Sequence, residues 1–252
     1  MPRIRTTATS PSVRSSPVKI AMLLLAAGRG SRFGGTVPKA FLQLGGRPLL
    51  VVSAERLLQA LPSRATAELL VLVHSDDRAT HLAAALPQLR RIAGATPVRC
   101  VDGGDTRQQS MANGLAACPT DAELVLVHDA ARALLPIDAT RDCIAAAARD
   151  GAALLAIPAP DTLKKVVDGR VVTTLDRRDV WQAQTPQVIR RDLLAKAMQH
   201  AHRTGFAGTD DVSLVEALGE PVAVVRGSPT NLKITHPDDL PLANAILAAH
   251  LA

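Results

Sequence analysis

The segment "LLLAAGRGSRFGGTVPK", Leu23 to Lys39, runs from an apolar stretch into a loop with four glycines and three cations, Arg29, Arg32 and Lys39. Glycine lets backbone N–H groups come close to an anion, and fixed cations beside them add charge. The glycine spacing is G-x-G-x-x-x-G, one residue longer than a dinucleotide fingerprint, and no G-x-x-x-x-G-K-[ST] run is present. The loop is therefore neither standard phosphate cradle. Taken singly, each cation also fits a solvated surface loop; the glycines, Arg32 and Pro38-Lys39 together favour an anion site.

Further segments join it. "GGDTRQQS", Gly103 to Ser110, reads as a second ligand-facing loop or as a helix start capped by Asp105 or Thr106. "LVLVHDAAR" places Asp129 just past a buried run with Arg132 three residues on, suiting a metal, a substrate hydroxyl or a helix cap. His128 beside it fits packing or hydrogen bonding better than ligation. "TNLKITHPDDL" carries Lys233, of interest if it faces the same cleft, and the same holds for Thr162 and Arg177. Ser/His/Asp and Cys/His signatures are missing. So is the nucleophilic lysine of K-x-D-G, since Val166 stands where that lysine would be. Cations, a glycine loop and a carboxylate without a nucleophile suit direct in-line phosphoryl or nucleotidyl transfer, which needs mainly positioning and charge neutralisation.

Such residues need a scaffold that gathers them. Short apolar runs at Ile20–Ala26, Glu68–His74, Val98–Val101, Leu124–His128 and Ala152–Ile157 alternate with amphipathic segments at Leu49–Leu61, Arg78–Leu89, Gln108–Ala117 and Asp138–Arg149. That rhythm predicts a doubly wound, mostly parallel α/β sheet, with ligands beyond the carboxyl ends of its strands. It breaks at "KKVVDGRVV", where Asp168-Gly169 between valine-rich runs predicts a hairpin that projects as an arm over about 159–186. Helices at Arg191–Thr204, Asp211–Leu218 and Leu240–His250 and a strand at Val222–Arg226 follow. Residues 1–17, rich in Ser, Thr, Pro and Arg, read as a disordered leader, and 18–252 as a single domain.

Composition narrows the class. The 252 residues are 47% apolar, but with one Trp, three Phe and no Tyr they lack the platforms that stack single-stranded bases. Residues 1–19 hold four cations and no acid, which leaves +2 of the net +6 for the rest, too little for a nucleic-acid-binding body. Cys100, Cys118 and Cys143 are widely spaced without a C-x-x-C, pointing to a reducing, cytoplasmic setting. No run reaches the ~20 apolar residues of a membrane span.

In order along the chain, "LLLAAGRGSRFGGTVPKAFLQLGGRPLL", "GGDTRQQS", "VHDAAR", "DTLK", "LDRRDVWQAQTPQ", "TDDVSLVE" and "NLKIT" resemble the 2-C-methyl-D-erythritol 4-phosphate cytidylyltransferase family of the non-mevalonate isoprenoid pathway, over about 18–250. The resemblance implies a Rossmann-like fold for that sheet and a homodimer that uses CTP and Mg2+, the metal bound mainly through the CTP phosphates, with no nucleic-acid or membrane partner. By motif match it implies CTP contacts from Ala26, Ala27, Gly28, Gly104, Asp105 and Ser110, and catalytic contacts to the triphosphate from Arg32, Lys39 and Lys233. Asp129, Arg132 and Thr209 would meet the sugar-alcohol phosphate, joined by Thr162 and Arg177 from the partner's arm. Ala40 and Ala133 depart from the family's usual Gln and Pro. A ribitol 5-phosphate cytidylyltransferase shares most of these motifs, and a catalytically silent nucleotide-binding protein is the rival from another class.

Overall fold

The computed structural model describes residues 17–28 and 37–251; all but the last residue of the expected 1–17 leader, the segment 29–36 with Arg32, and residue 252 lie outside the described residues. The chain enters through β1 (Lys19–Leu25), and Lys39–Phe41 forms one tight turn before a two-strand hairpin, β2 (Gln43–Leu44) and β3 (Arg47–Pro48). A βα alternation follows: α1 (Leu49–Gln59), β4 (Thr66–Val73), α2 (Ala83–Ala93), β5 (Val98–Asp102), α3 (Arg107–Ala117), β6 (Leu124–Asp129), α4 (Ile137–Asp150) and β7 (Ala152–Pro158). The arm hairpin is β8 (Lys164–Val167) and β9 (Arg170–Thr174). The chain closes with β10 (Trp181–Arg190), α5 (Arg191–Thr204), α6 (Asp211–Glu216), β11 (Ala223–Arg226) and α7 (Asp239–Leu251).

The central sheet runs β5-β4-β1-β6-β10-β7-β11, and every strand is parallel except β10, which is antiparallel to both neighbours. Its strands are apolar on both faces because both are covered. Ile20, Met22 and Leu24 of β1 pack with β4 and β6 residues against α1, α2 and α4. Ala21 and Leu23 face the other way, toward Met111 of α3 and Leu194 and Ala197 of α5. Gly114 fixes how close α3 lies, since a Cβ there would sit 2.9 Å from the Leu23 side chain. From β1 the chain winds outward to β4 and β5, then returns to place β6 on the other side. The reversal opens a crevice at the carboxyl ends of β1 and β6, where Leu25 stands opposite Asp129.

The strands and helices lie close to where the sequence places them, with one substantive difference. The arm ends near Val180, six residues short of the expected boundary. From Trp181 the chain re-enters the sheet as β10, buried from Gln184 to Ile189. Its polar "QAQTPQ" does not look like a central strand, but Gln184, Thr185 and Gln187 are each satisfied by hydrogen bonds where they are buried. The pairing of β10 with β7 shifts register between Ala183 and Gln187. This bulge turns Gln184 and Thr185 toward the crevice. The arm itself turns through Asp168 (φ 48°) and Gly169 (φ 73°), the paired positive angles of a type I′ hairpin. Val166, Val167, Val171 and Val172 on it are exposed. Among the described residues no helix is long and apolar enough to cross a membrane.

Candidate active site

A cavity of about 540 Å³ lies past the carboxyl ends of the parallel strands. It is lined by Ala26, Ala27 and Gly28 after β1, by His74 after β4 and by Gly104, Asp105 and Ser110 after β5. Its charged residues include Lys39, Arg107, Asp129 and Lys233. A second cavity of about 280 Å³ shares Arg107, Asp129 and Lys233 with the first and adds Arg132, Thr185 and Thr209. The two meet at this charged cluster.

The glycine-bearing walls are backbone held by small residues. A Cβ on Gly103 would fall 2.2 Å from that of Ala27, so only glycine lets the β1 and β5 loops touch. On Gly28 a Cβ meets nothing within 4 Å, so the missing side chain leaves room in the cavity. Ser110 is buried, and its hydroxyl accepts from the Gly104 N–H at 2.9 Å. It therefore shapes the loop as well as lining the cavity. Of the two residues weighed as the helix cap, Thr106 serves: its hydroxyl accepts from the Gln109 N–H at 3.0 Å.

The charged end is assembled from distant segments. Arg107 donates through Nη1 and Nη2 to Oδ1 and Oδ2 of Asp211 at 2.6 and 2.7 Å, and through Nε to Oδ1 of Asp129 at 3.2 Å. Lys233 Nζ lies 2.7 Å from Asp129 Oδ2. Burial alone would raise the Asp129 carboxyl; Arg107 and then Lys233 outweigh it and hold it well below the usual carboxylate range. Burial alone would lower Arg107, but Asp211 and Asp129 hold it above the ordinary guanidinium value. Asp129 and Arg107 are therefore both charged at neutral pH. Burial raises the Asp211 carboxyl, with Arg107 pulling the other way. Both of its oxygens accept from guanidinium N–H groups, which fits the ionised form.

Lys233 reaches the cluster because its segment is laced to the loop after β6. Ile234 N donates to Ala131 O at 2.9 Å, and Arg132 Nη1 donates to Asn231 O at 2.7 Å. Asp239 at the start of α7 accepts from the Thr235 and His236 N–H groups at 2.6 and 2.7 Å, tying down the other side. Lys39 is anchored by its neighbours: Ala40 and Phe41 are buried, and the Phe41 ring stacks on His81 at 5.3 Å between centroids. Leu44, Leu49, Ala133, Leu134, Ile234 and Leu247 form one apolar cluster under the segments that carry Lys39 and Lys233.

His128 is packed and hydrogen-bonded, as its sequence position suggests. Its Nε2 faces the Arg132 carbonyl at 3.1 Å, so that nitrogen carries the proton; Nδ1 meets the Thr185 hydroxyl at 2.9 Å, which itself accepts from the Asp129 N–H. Burial pushes its pKa down to about 4, overcoming the opposing pull of Asp129 and the Arg132 carbonyl. Between that value and the ~6.5 of an unfolded histidine, only the unfolded chain takes the proton, so stability falls as pH falls through this window. About 2 kcal/mol is expected to be lost between pH 7 and pH 5 from this group. Thermal melting across that range should show the loss, and His128→Gln should flatten it; a wild-type Tm unchanged from pH 7 to 5 contradicts a buried neutral ring.

Eleven of the residues singled out in the sequence thus line the two cavities. Arg32 lies outside the described residues. Thr162 and Arg177 are exposed at the base of the arm, in neither cavity, and Arg177 donates to the Pro160 carbonyl. Arg107 and Asp211 are the residues that sequence reasoning missed. One signal was available: Arg107 puts a cation in the first turn of α3, where the helix dipole favours an acid. The three cysteines line neither cavity. Cys100, Cys118 and Cys143 are free, and burial pushes the latter two up to about 11 and about 12.

A model of the family described as IspD: 2-C-methyl-D-erythritol 4-phosphate cytidylyltransferase matches residues 20–249. The curated protein of that name from Bacillus pumilus is 39% identical over 230 residues, 90% of this chain and 96% of the relative. Its counterpart from Symbiobacterium thermophilum is 41% identical over 232 residues, 91% of this chain and 93% of the relative. The crystal structure of the Thermus thermophilus enzyme of this name superposes with a TM-score of 0.68 at 36% identity, covering 91% of this chain and 98% of that one.

Proposed function

The chain belongs to the 2-C-methyl-D-erythritol 4-phosphate cytidylyltransferase family, and from that membership we propose how its two cavities divide one reaction. The larger takes CTP and the smaller takes 2-C-methyl-D-erythritol 4-phosphate, with the reacting atoms between them. The observation that carries this reading is the cluster of Arg107, Asp129 and Lys233, which lines both cavities at once.

In this reading a phosphate oxygen of the sugar-alcohol phosphate attacks the α-phosphorus of CTP in line. A new P–O bond forms, the bond to the β-phosphate oxygen breaks, and pyrophosphate leaves with that electron pair. A phosphate monoester is already ionised near neutral pH, so no general base is required. Lys39, Lys233 and Arg32 offset the charge that grows on the α-phosphate and the leaving group. Asp129 accepts from a hydroxyl of the alcohol, with Arg132 and Thr209 beside it. The cytosine end rests on the backbone of Ala26 to Gly28 and of Gly104 and Asp105.

Among the described residues no group of three or more His, Cys, Asp or Glu is placed to hold a metal. Magnesium would be carried mainly on the CTP phosphate oxygens; of the two carboxylates in the cavity, Asp129 is already paired with Arg107 and Lys233, which leaves Asp105 as the one that would approach the metal. When bound, Mg2+ would draw charge from the triphosphate. A homodimer with the arm laid on its partner accounts for the exposed valines, because a lone two-stranded hairpin is marginal in water. A cytoplasmic setting agrees with three free thiols.

The test is a coupled pyrophosphate-release assay that crosses CTP, UTP, ATP and GTP with 2-C-methyl-D-erythritol 4-phosphate and ribitol 5-phosphate. CTP with the first acceptor should lead, and the purine nucleotides should fall roughly 10²-fold or more in kcat/KM, because a wrong base leaves buried polar groups unpaired. Comparable turnover with ATP or GTP contradicts the base assignment, and preference for ribitol 5-phosphate contradicts the acceptor.

A further inference from the structure

Asp211 touches neither cavity, yet it is the most committed partner of a residue that lines both. Its side chain is 1% exposed, at the first position of α6. Gln187 of β10 fixes that position: its Oε1 accepts from the Asp211 and Val212 N–H groups at 2.9 and 3.0 Å, and its amide donates to Asp210 Oδ2 at 2.8 Å. From there Asp211 grips the end of the Arg107 guanidinium with both oxygens. A guanidinium is planar with five donors in fixed directions, so a two-pronged contact at one edge sets where the rest point. Nε is thereby aimed at Asp129, and one N–H on each terminal nitrogen stays outside the Asp211 pair, on a side chain that lines both cavities.

We propose that Asp211 is a positioning residue that acts through Arg107, holding that side chain where it orients Asp129 and meets the phosphate of the second substrate. The inference rests on the functional reading above. Charge balance supports it. Arg107 and Lys233 are matched by Asp129 and Asp211, so Asp211 keeps the guanidinium from drawing fully onto Asp129. That leaves Asp129 one oxygen shared with Lys233 and room to accept from a substrate hydroxyl. Lysine at 107 could not replace it, because a point charge cannot contact two carboxylates in fixed directions.

The experiment uses the full-length protein with CTP and 2-C-methyl-D-erythritol 4-phosphate. Asp211→Asn keeps the shape but turns an N–H toward Arg107. It is expected to raise KM for the sugar-alcohol phosphate roughly tenfold and to lower kcat by a similar factor, about the value of one charge-assisted hydrogen bond. The KM for CTP should stay within about threefold, and Asp211→Glu, which keeps both oxygens, should recover most of the loss. A merely structural role lowers the amount of active protein without moving one KM and not the other, so equal loss in the Asn and Glu variants, or an unchanged acceptor KM, overturns the proposal. Should the Asn variant fail to fold, Arg107→Met is compared with the double variant Arg107→Met/Asp211→Leu, which leaves no buried charge unpaired. Equal kinetics of the two support action through Arg107; a further drop in the double variant overturns it. A wild-type protein inactive on this substrate pair sinks the functional reading itself, whereas an active wild type with indifferent Asp211 variants sinks the positioning role alone.

Discussion

Replacing Lys39 by alanine is expected to lower kcat by roughly 10²-fold or more while CTP binding falls less, the pattern for losing one charge contact that strengthens in the transition state. Lys39 lines the cavity, and the residues that follow it, Ala40 and Phe41, are buried and hold its backbone in place. Removal should therefore leave the fold intact. Steady-state kinetics on protein with an unchanged melting temperature check this, and near-normal turnover in the folded variant removes Lys39 from the triphosphate. The same result is expected of Arg32→Ala. Lys233→Ala is a less clean probe. It strips Asp129 of one of its two cationic partners, so its loss mixes a missing phosphate contact with a disturbed carboxylate.

A second large effect is expected when two dead proteins are mixed. Arg177 lies in neither cavity of its own chain, whereas Lys39 lines one. If the arm reaches over the partner, Arg177→Ala and Lys39→Ala each inactivate a homodimer at a different residue of a shared site. After subunit exchange the heterodimer has one site with both residues intact, so up to about half of its sites should work. Activity should rise from near zero as exchange proceeds. If verified exchange restores nothing, Arg177 acts within its own chain or is a solvated surface group in the run Asp176-Arg177-Arg178-Asp179.

The parallel strands were legible because a strand buried on both faces is written as an unbroken apolar run, as in "AMLLLA" and "LVLVHD". The Asp168-Gly169 turn was legible because few residue pairs accept two positive φ angles in succession. β10 was not, since its central residues are polar, and their burial depends on partners such as Asn231, His128 and Asp210 that local sequence does not reveal. The site divides in the same way. Lys39, Gly104 and Asp129 announce themselves by where they fall relative to strand ends. Arg107 finds Asp211 across 104 residues, and nothing near either one names the other. What joins them is the winding of the sheet, which brings the starts of α3 and α6 to one edge.

The chain holds one tryptophan and no tyrosine, and that indole is Trp181, 41% exposed where β10 leaves the arm and pairs with Pro158. Ultraviolet absorbance and emission therefore come almost entirely from a single address at the root of the hairpin, and the aliphatic core is optically silent. Emission colour in this protein follows the wetness of the place where the arm joins the first residue of β10. A dye-free fluorimeter trace is then a gauge of whether a second chain covers that surface, and a fluorescence transition that comes before the one seen by circular dichroism marks the arm's base opening ahead of the sheet.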